Sequence, residues 1–513
     1  MTESTKALRG VLLAIALLAA CQRHFSNDGK ALRIAFEAMP TRLDPRFAMD
    51  AYSSRVGSLV FASLVMPGRN GDYAPYLARA WDAPDPKTWR FRLRDGFLFH
   101  DGSPVRAEDV VATYDALMDS ALASPKRSML ARVASIEAPA PDEIVFHLRE
   151  PDAAFLEAAT VAVLPARLAH AAPLAPSDLV GAGPYRMTEY AENRMIRLEG
   201  FQRFALGAPS LAAVEFRIVP DSLMRALELR HGTVDFVQNA LDPDTVEWIA
   251  THADDLRVER GASNSFQYLG MNLEHPPLTD VRVRRAIAYA IDRESIVRHL
   301  LKGQAEVADG LLPPHHWAHT SRVRSYGFDP ERARRLLDRA GLADPDGPGP
   351  QPRLTLSYKT TTDELARRSA EAIAEQLAAV GIHLDILTYE WGTFFADVQR
   401  GSFHLYSLKW IGISDPDIYR QILHSRMIPP EGNNRGRYRS RRMDRLMERG
   451  VSVIDRSERR RVYARVQRVS ARALPFIPLW WPQTVVVSTR RLEGFTPHPA
   501  GDLFELSRAH LAP

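Results

Sequence analysis

A single cysteine, Cys21, occurs in the 513 residues of this chain. One thiol cannot build a disulfide framework, and it leaves no Cys-x-x-Cys pair for zinc or redox chemistry. There is no phosphate loop ending in Gly-Lys-Ser/Thr, no His-Glu-x-x-His pair and no Gly-x-Ser-x-Gly turn. The chain therefore reads as a non-enzyme that cannot hydrolyse ATP, and any active transport it serves must draw energy from partner chains. His315, His316 and His319 come nearest to a metal cluster. They flank Pro313-Pro314 and Trp317 in what reads as a solvated loop, so neither metal nor cofactor is expected. Beyond the first 20 residues no apolar run approaches the roughly 20 residues of a membrane span. Aromatic residues are scarce where basic charge concentrates. Arg435, Arg437, Arg439, Arg441, Arg442, Arg445 and Arg449 are followed by Arg456, Arg459, Arg460, Arg461, Arg465 and Arg468, with only Tyr438 and Tyr463 among them. A nucleic-acid platform needs interleaved stacking rings, so no nucleic-acid partner is expected. These arginines read as a solvated helix face, with contact to anionic lipid or an acidic ligand as the alternative.

What is present begins with an address. Lys6 and Arg9 precede the apolar run from Val11 to Leu18, and Leu18-Ala19-Ala20-Cys21 follows. A basic, apolar, then small-residue order is that of a secretory signal over residues 1–20. A cysteine directly after the small residues resembles the lipobox of bacterial lipoproteins, which implies an acylated Cys21 and a periplasmic or other extracytoplasmic chain held to the membrane by lipid. The remainder is too long for one core, while 45% hydrophobic and 25% charged residues are globular values.

Two rhythms alternate along it. Leu32, Ile34 and Phe36, then Trp89, Phe91 and Leu93, then Ile144, Phe146 and Leu148 show the period of half-buried strands. Val110, Tyr114 and Leu117 keep helical spacing. After residue 350 the pattern is strand (Leu354, Leu356, Tyr358), helix (Ile373, Leu377, Val380), strand (Ile382, Leu384, Ile386), helix (Trp391 to Arg400) and strand (Phe403, Leu405, Leu408). Short connections predict a parallel sheet covered by helices, whose ligands bind beyond the carboxyl ends of the strands. That directs attention to Ser407 through Asp417.

Several motifs, in order, resemble the peptide- and nickel-type solute-binding proteins, family 5. They are Leu43-Asp44-Pro45; Pro75 to Trp81 with Phe91 to Gly96 and Phe99 to Pro104; Ala107-Glu108-Asp109-Val110; Gly181-Ala182-Gly183-Pro184-Tyr185; Asn272 and Asp280 to Ala286 with Ala290 to Arg293; Ala340-Gly341-Leu342; Asp415-Pro416-Asp417; and Leu474 to Leu479. Several are structural on their own terms: Asp101-Gly102 is a turn, and Asp280 and Asp292 are helix caps. The resemblance implies a two-lobed α/β fold of the periplasmic-binding-protein type (class II), with an extra α/β domain and the ligand cleft between the lobes. Lobe I would comprise residues 30–50, 180–263 and 484–513, the extra domain 51–179, and lobe II 264–483, with hinge strands near Gln267 to Asn272 and Gln483 to Ser488. It implies the monomeric receptor of an ABC importer that closes on a peptide or peptide-like solute and docks on inner-membrane permease subunits served by separate ATPase subunits. A nickel complex, an oligosaccharide, or a sensory or chaperone role detached from transport is the alternative.

The resemblance also implies site residues. Trp391 and Trp410 stand where relatives line their cavity. Relatives place an aspartate three residues after the second tryptophan, to pair with the ligand's α-ammonium group. Here that position is Ile413, within Trp410-Ile411-Gly412-Ile413-Ser414-Asp415, and Val398, Gln399 and Ser407 replace basic residues of the oligopeptide pattern. Either Asp415 or Asp417 serves instead, with Lys409 meeting a carboxylate, or the ligand has no free amine there.

Overall fold

The structure, a computed structural model, describes residues 31–347 and 349–513. Cys21 and the signal sequence lie outside the described residues. Among the described residues no helix is long and apolar enough to cross a membrane.

A seven-stranded sheet runs in the spatial order Leu256–Gly261, Thr484–Thr489, Phe236–Gln238, Ala31–Phe36, Ala213–Ile218, Met195–Gly200 and Tyr185–Ala191. Its first strand shows why alternation was a faithful signal. Leu32 and Ile34 are sealed in the core, while Arg33 points to the other face and clasps Asp235 through two hydrogen bonds of 2.7 and 2.8 Å. The helix Ala51–Val60 packs Val56, Leu59 and Val60 into this same core. The helix, expected to open the extra domain at residue 51, thus shares its apolar face with this sheet's core. Gly181 and Gly183 let the chain pass against the end of that helix. A Cβ would lie 1.9 Å from the Val60 carbonyl oxygen at Gly181 and 2.4 Å from that of Leu59 at Gly183.

A four-stranded antiparallel sheet, in the order Ala78–Asp85, Thr88–Leu93, Glu143–Leu148 and Val133–Ala140, is covered by the helix Ala107–Met118. Phe91, Phe146, Val110, Tyr114 and Leu117 are completely buried between them.

The six-stranded sheet has the order Ala305–Val307, Phe476–Pro482, Phe266–Met271, Leu405–Trp410, Leu354–Thr361 and Ile382–Tyr389. The last three strands are parallel and the helices Glu364–Ala378 and Trp391–Arg400 connect them, as the periodicity predicts. The sheet is nevertheless mixed, for Phe266–Met271 runs antiparallel to both its neighbours. That strand and Phe476–Pro482 are almost wholly buried, so neither carries the alternation that would have revealed it.

The chain passes between the two large sheets twice, through residues 262–265 and through Gln483. The crossings lie side by side, since Gly261 pairs with Thr484 and Gln267 with Trp480. They fall just ahead of the first expected hinge segment and at the start of the second. Residues 267–271 and 484–488 themselves are tied into sheet ladders. The result is a two-lobed α/β molecule with a cleft between the lobes.

Candidate functional site

The parallel strands of the six-stranded sheet end at Thr361, Tyr389 and Trp410, and the helix beginning at Trp391 starts beside them. Here aromatic rings form a ladder. Trp391 stacks on Phe395 at 5.4 Å, the Arg435 guanidinium lies over Phe395 at 5.1 Å and over Trp410 at 4.7 Å, and Trp410 stacks on Tyr268 at 6.4 Å. Exposure falls from 57% at Trp391 to 4% at Tyr268, so the ladder leads from solvent into the lobe. Arg435 is buried, and its only side-chain bonds among the described residues go to Tyr268 Oη at 3.4 Å and Asn433 Oδ1 at 3.2 Å. No carboxylate among the described residues pairs with it. The sequence places Arg435 on a solvated face, and the structure buries it; a buried arginine in a loop leaves no periodic trace.

Lys409, one residue before Trp410, faces the other lobe. Its side chain is exposed to the open cleft, yet crowding by the cleft walls and the Arg55 guanidinium across the gap lower its pKa, while Asp363 and Glu37 oppose the shift. Arg55 belongs to the helix Ala51–Val60, so the two lobes present like charges to each other. Arg55 was not singled out in the sequence, where it is one exposed-looking cation on an ordinary helix.

Past Trp410 the loop divides its roles. Ile411 is exposed at 57%, Gly412 turns with φ +70°, and Ile413 is buried with its N–H donated to the Asn264 carbonyl at 2.9 Å. Asp415 and Asp417 are turned away from the cleft. Asp415 accepts two hydrogen bonds from Arg459 at 2.6 and 2.7 Å, and a third from the Asp417 N–H at 2.7 Å. Burial alone would lower the Arg459 pKa; the Asp415 carboxylate outweighs it and raises it. Asp417 accepts from Arg420 Nε at 2.9 Å and Tyr463 O–H at 3.1 Å. With every oxygen engaged, neither aspartate is placed to serve a ligand's amine.

A cavity of about 290 Å³ lies where both lobes meet segments that flank the four-stranded sheet. Gly412 and Ser414 wall it from one lobe, Ser53 and Gly57 from the other, and Lys126 and Glu157 from the region between. Lys126 donates to the Pro45 carbonyl at 2.7 Å, and burial pushes its pKa down to about 8. Glu157 accepts a 2.6 Å hydrogen bond from Tyr73 O–H. Sequence reading missed Glu157, which sits on a helix of four residues, Phe155–Ala158, too short to show a pattern. The His315 loop departs from expectation too. His316 is 2% exposed and held at about 4 by burial, while Trp317 lies under Arg456 and Arg459, so this is a packed corner rather than a solvated loop.

Against this geometry the comparisons with known proteins are decisive for the family. Residues 72–426 match the model for bacterial extracellular solute-binding proteins, family 5. The chain belongs to that family. This family 5 solute-binding protein is 25% identical to the oligopeptide-binding protein AppA of Bacillus subtilis, over 98% of each chain. It is 27% identical to di/tripeptide-binding protein 2 of Pseudomonas aeruginosa, over 95% of its own length and 96% of the relative's. Its fold matches the ABC transporter substrate-binding protein CtaP of Listeria monocytogenes with a TM-score of 0.84, at 24% identity, covering 94% and 99% of the two chains. Membership assigns the protein to solute binding and leaves the occupant of its cleft to be argued from its own residues.

Proposed function

We propose that this family 5 protein is the extracytoplasmic receptor of an ABC importer, capturing a peptide or peptide-like solute by closure of its two lobes and delivering it to membrane permease subunits. The observation that carries the reading is a cleft walled from both lobes. It offers an aromatic ladder for apolar contact and opposed cations, Arg55 and Lys409, for a carboxylate. Large planar side chains give contact area with little loss of side-chain entropy and tolerate varied ligands. The relatives named above bind oligopeptides, or di- and tripeptides, by their names. In this reading Cys21 carries the lipid that keeps the receptor at the membrane. The lobes comprise the segments that supply their sheets, together with the helix Ala51–Val60 in the first. Trp391, Lys409, Trp410, Ile411 and Gly412 face the ligand, whereas Ile413, Asp415 and Asp417 hold the loop that presents them. Native mass spectrometry of the purified protein should find a peptide-like solute. Adding that solute should shift tryptophan fluorescence and contract the particle in solution scattering, without turnover. Steady conversion of the bound solute to a product would refute the reading.

Two substitutions test the walls. Trp410→Ala should weaken binding roughly tenfold or more, about 1.4 kcal/mol, while the melting temperature changes by only a few degrees. Unchanged affinity in the folded variant would remove Trp410 from the site. Arg55 and Lys409 repel on closure unless an anion lies between them. Lys409→Met should therefore weaken a free-acid peptide about tenfold and leave the same peptide as its C-terminal amide nearly unaffected, as read by calorimetric titration.

A further inference from the structure

We infer that Glu157 is the seat for a ligand's ammonium group, in the cavity where the two lobes meet segments that flank the four-stranded sheet. This rests on the solute-capture reading and names the chemistry of one end of the solute. The carboxyl lines a cavity of about 290 Å³, large enough for the leading residue of a peptide. Among the described residues its one side-chain partner is the Tyr73 hydroxyl, at 2.6 Å, and no lysine, arginine or histidine is paired with it. A carboxylate in protein surroundings with one neutral donor is short of hydrogen bonds and of counter-charge, and a cation entering from the cavity supplies both. Of the acids nearby, Asp415 is bound to Arg459 and is not free to take that part. Asp502, also on the cavity wall, accepts from the Phe504 N–H at 3.1 Å and has the His498 imidazole 2.8 Å from its other oxygen, whereas Glu157 has no basic side chain paired with it among the described residues. Gly412 and Ser414 bring the loop after Trp410 to the same cavity, so the segment that follows the aromatic ladder also walls the Glu157 site.

The electrostatics agree in sign. Burial holds the Glu157 carboxyl up at about 7, against the Tyr73 hydrogen bond that lowers it, with the Asp415 charge adding to the rise. A bound ammonium favours the ionised form, so binding must release whatever proton the empty site carries, and affinity falls as pH drops through 7. From pH 7.5 to 6 the free-amine ligand should bind roughly eightfold more weakly. Other charges face the cavity. Lys126, at about 8, is mostly protonated at pH 7.5 and fully so at pH 6, and His316 stays neutral. Tyr73 is pushed well above its ordinary range, and Asp415 is held by Arg459. His498, beside Asp502, is present in every variant and so is controlled for.

The experiment measures binding of mixed lysine-free tripeptides, free or N-acetylated, and of N-acetylated tripeptides containing lysine, to the wild type and to Glu157→Gln. Glutamine keeps the volume and can still accept from Tyr73, so the melting temperature should hold; Glu157→Asp, which retracts the charge, should be intermediate. We expect the wild type to favour free over N-acetylated lysine-free peptides at least tenfold, and Glu157→Gln to abolish both that preference and the fall between pH 7.5 and 6. Equal binding of the N-acetylated lysine peptides, again lost in Glu157→Gln, would support the seat and assign it to a side-chain ammonium. A free-amine preference that survives Glu157→Gln, or no preference in the wild type, would overturn the inference and leave solute capture standing. Failure of the wild type to bind any of these peptides would overturn the peptide reading and this inference together.

Discussion

Replacing Asp415 by asparagine should cost this protein about 3–5 kcal/mol of stability, because it leaves Arg459 charged and buried without a counter-ion. Both side chains are within a tenth of complete burial, and the carboxylate accepts from both terminal guanidinium nitrogens. Asparagine offers one oxygen and no charge where the guanidinium needs two acceptors. Arg459→Met should cost a similar amount by stranding the carboxylate. The pair Asp415→Leu with Arg459→Met should recover much of the loss, since two apolar groups of suitable volume remove both desolvation penalties at once. Denaturant titration of the three variants measures this. Were Asp415 instead the ligand's anchor, Asp415→Asn would leave stability nearly intact and abolish binding of free-amine peptides, so a single protein preparation separates the two roles.

The second large effect is expected far from the cleft. Phe146 is fully buried, with Phe155 at 4.8 Å, Tyr114 at 5.0 Å and Phe91 at 5.7 Å. Truncation to alanine removes the hub of this cluster and should cost about 3–5 kcal/mol, the range for deleting a core ring that its neighbours cannot refill. The loss should be local. Hydrogen exchange should quicken first in Ala78–Asp85, Thr88–Leu93 and Glu143–Leu148, and much less in the strand Phe266–Met271. Uniform loss of protection would mean that the four-stranded sheet unfolds only with the rest of the molecule. Because Phe155 stands two residues before Glu157, the same variant should also disturb the cavity.

The difference between what was legible and what was not follows from distance along the chain. Alternation places Trp89, Phe91 and Leu93 on one strand face because a strand reports its own burial locally, and the helix Trp391–Arg400 stops where Gly401 adopts φ +81°. The resemblance directed attention to the loop after Trp410 by its tryptophan, and Gly412 lines the cavity between the lobes. It could not show which way the carboxylates of Asp415 and Asp417 point, since the partner of Asp415 is 44 residues away on another helix. Arg435 and Glu157 were invisible for a related reason. A charged residue in a loop or on a single helical turn looks the same in sequence whether water or a cleft surrounds it, and only the packed chain distinguishes the two.

The two side-by-side crossings between the large sheets bear on the entropy of capture. A single tether would leave one lobe free to swivel and twist, and a ligand would have to freeze all those orientations. Two neighbouring strands joined to the same ladders at both ends form a ribbon that bends across its width but resists twisting and sliding. The free receptor thus samples essentially one coordinate, from open to shut. Little orientational freedom is left for the solute to remove, and more of its contact energy survives as affinity.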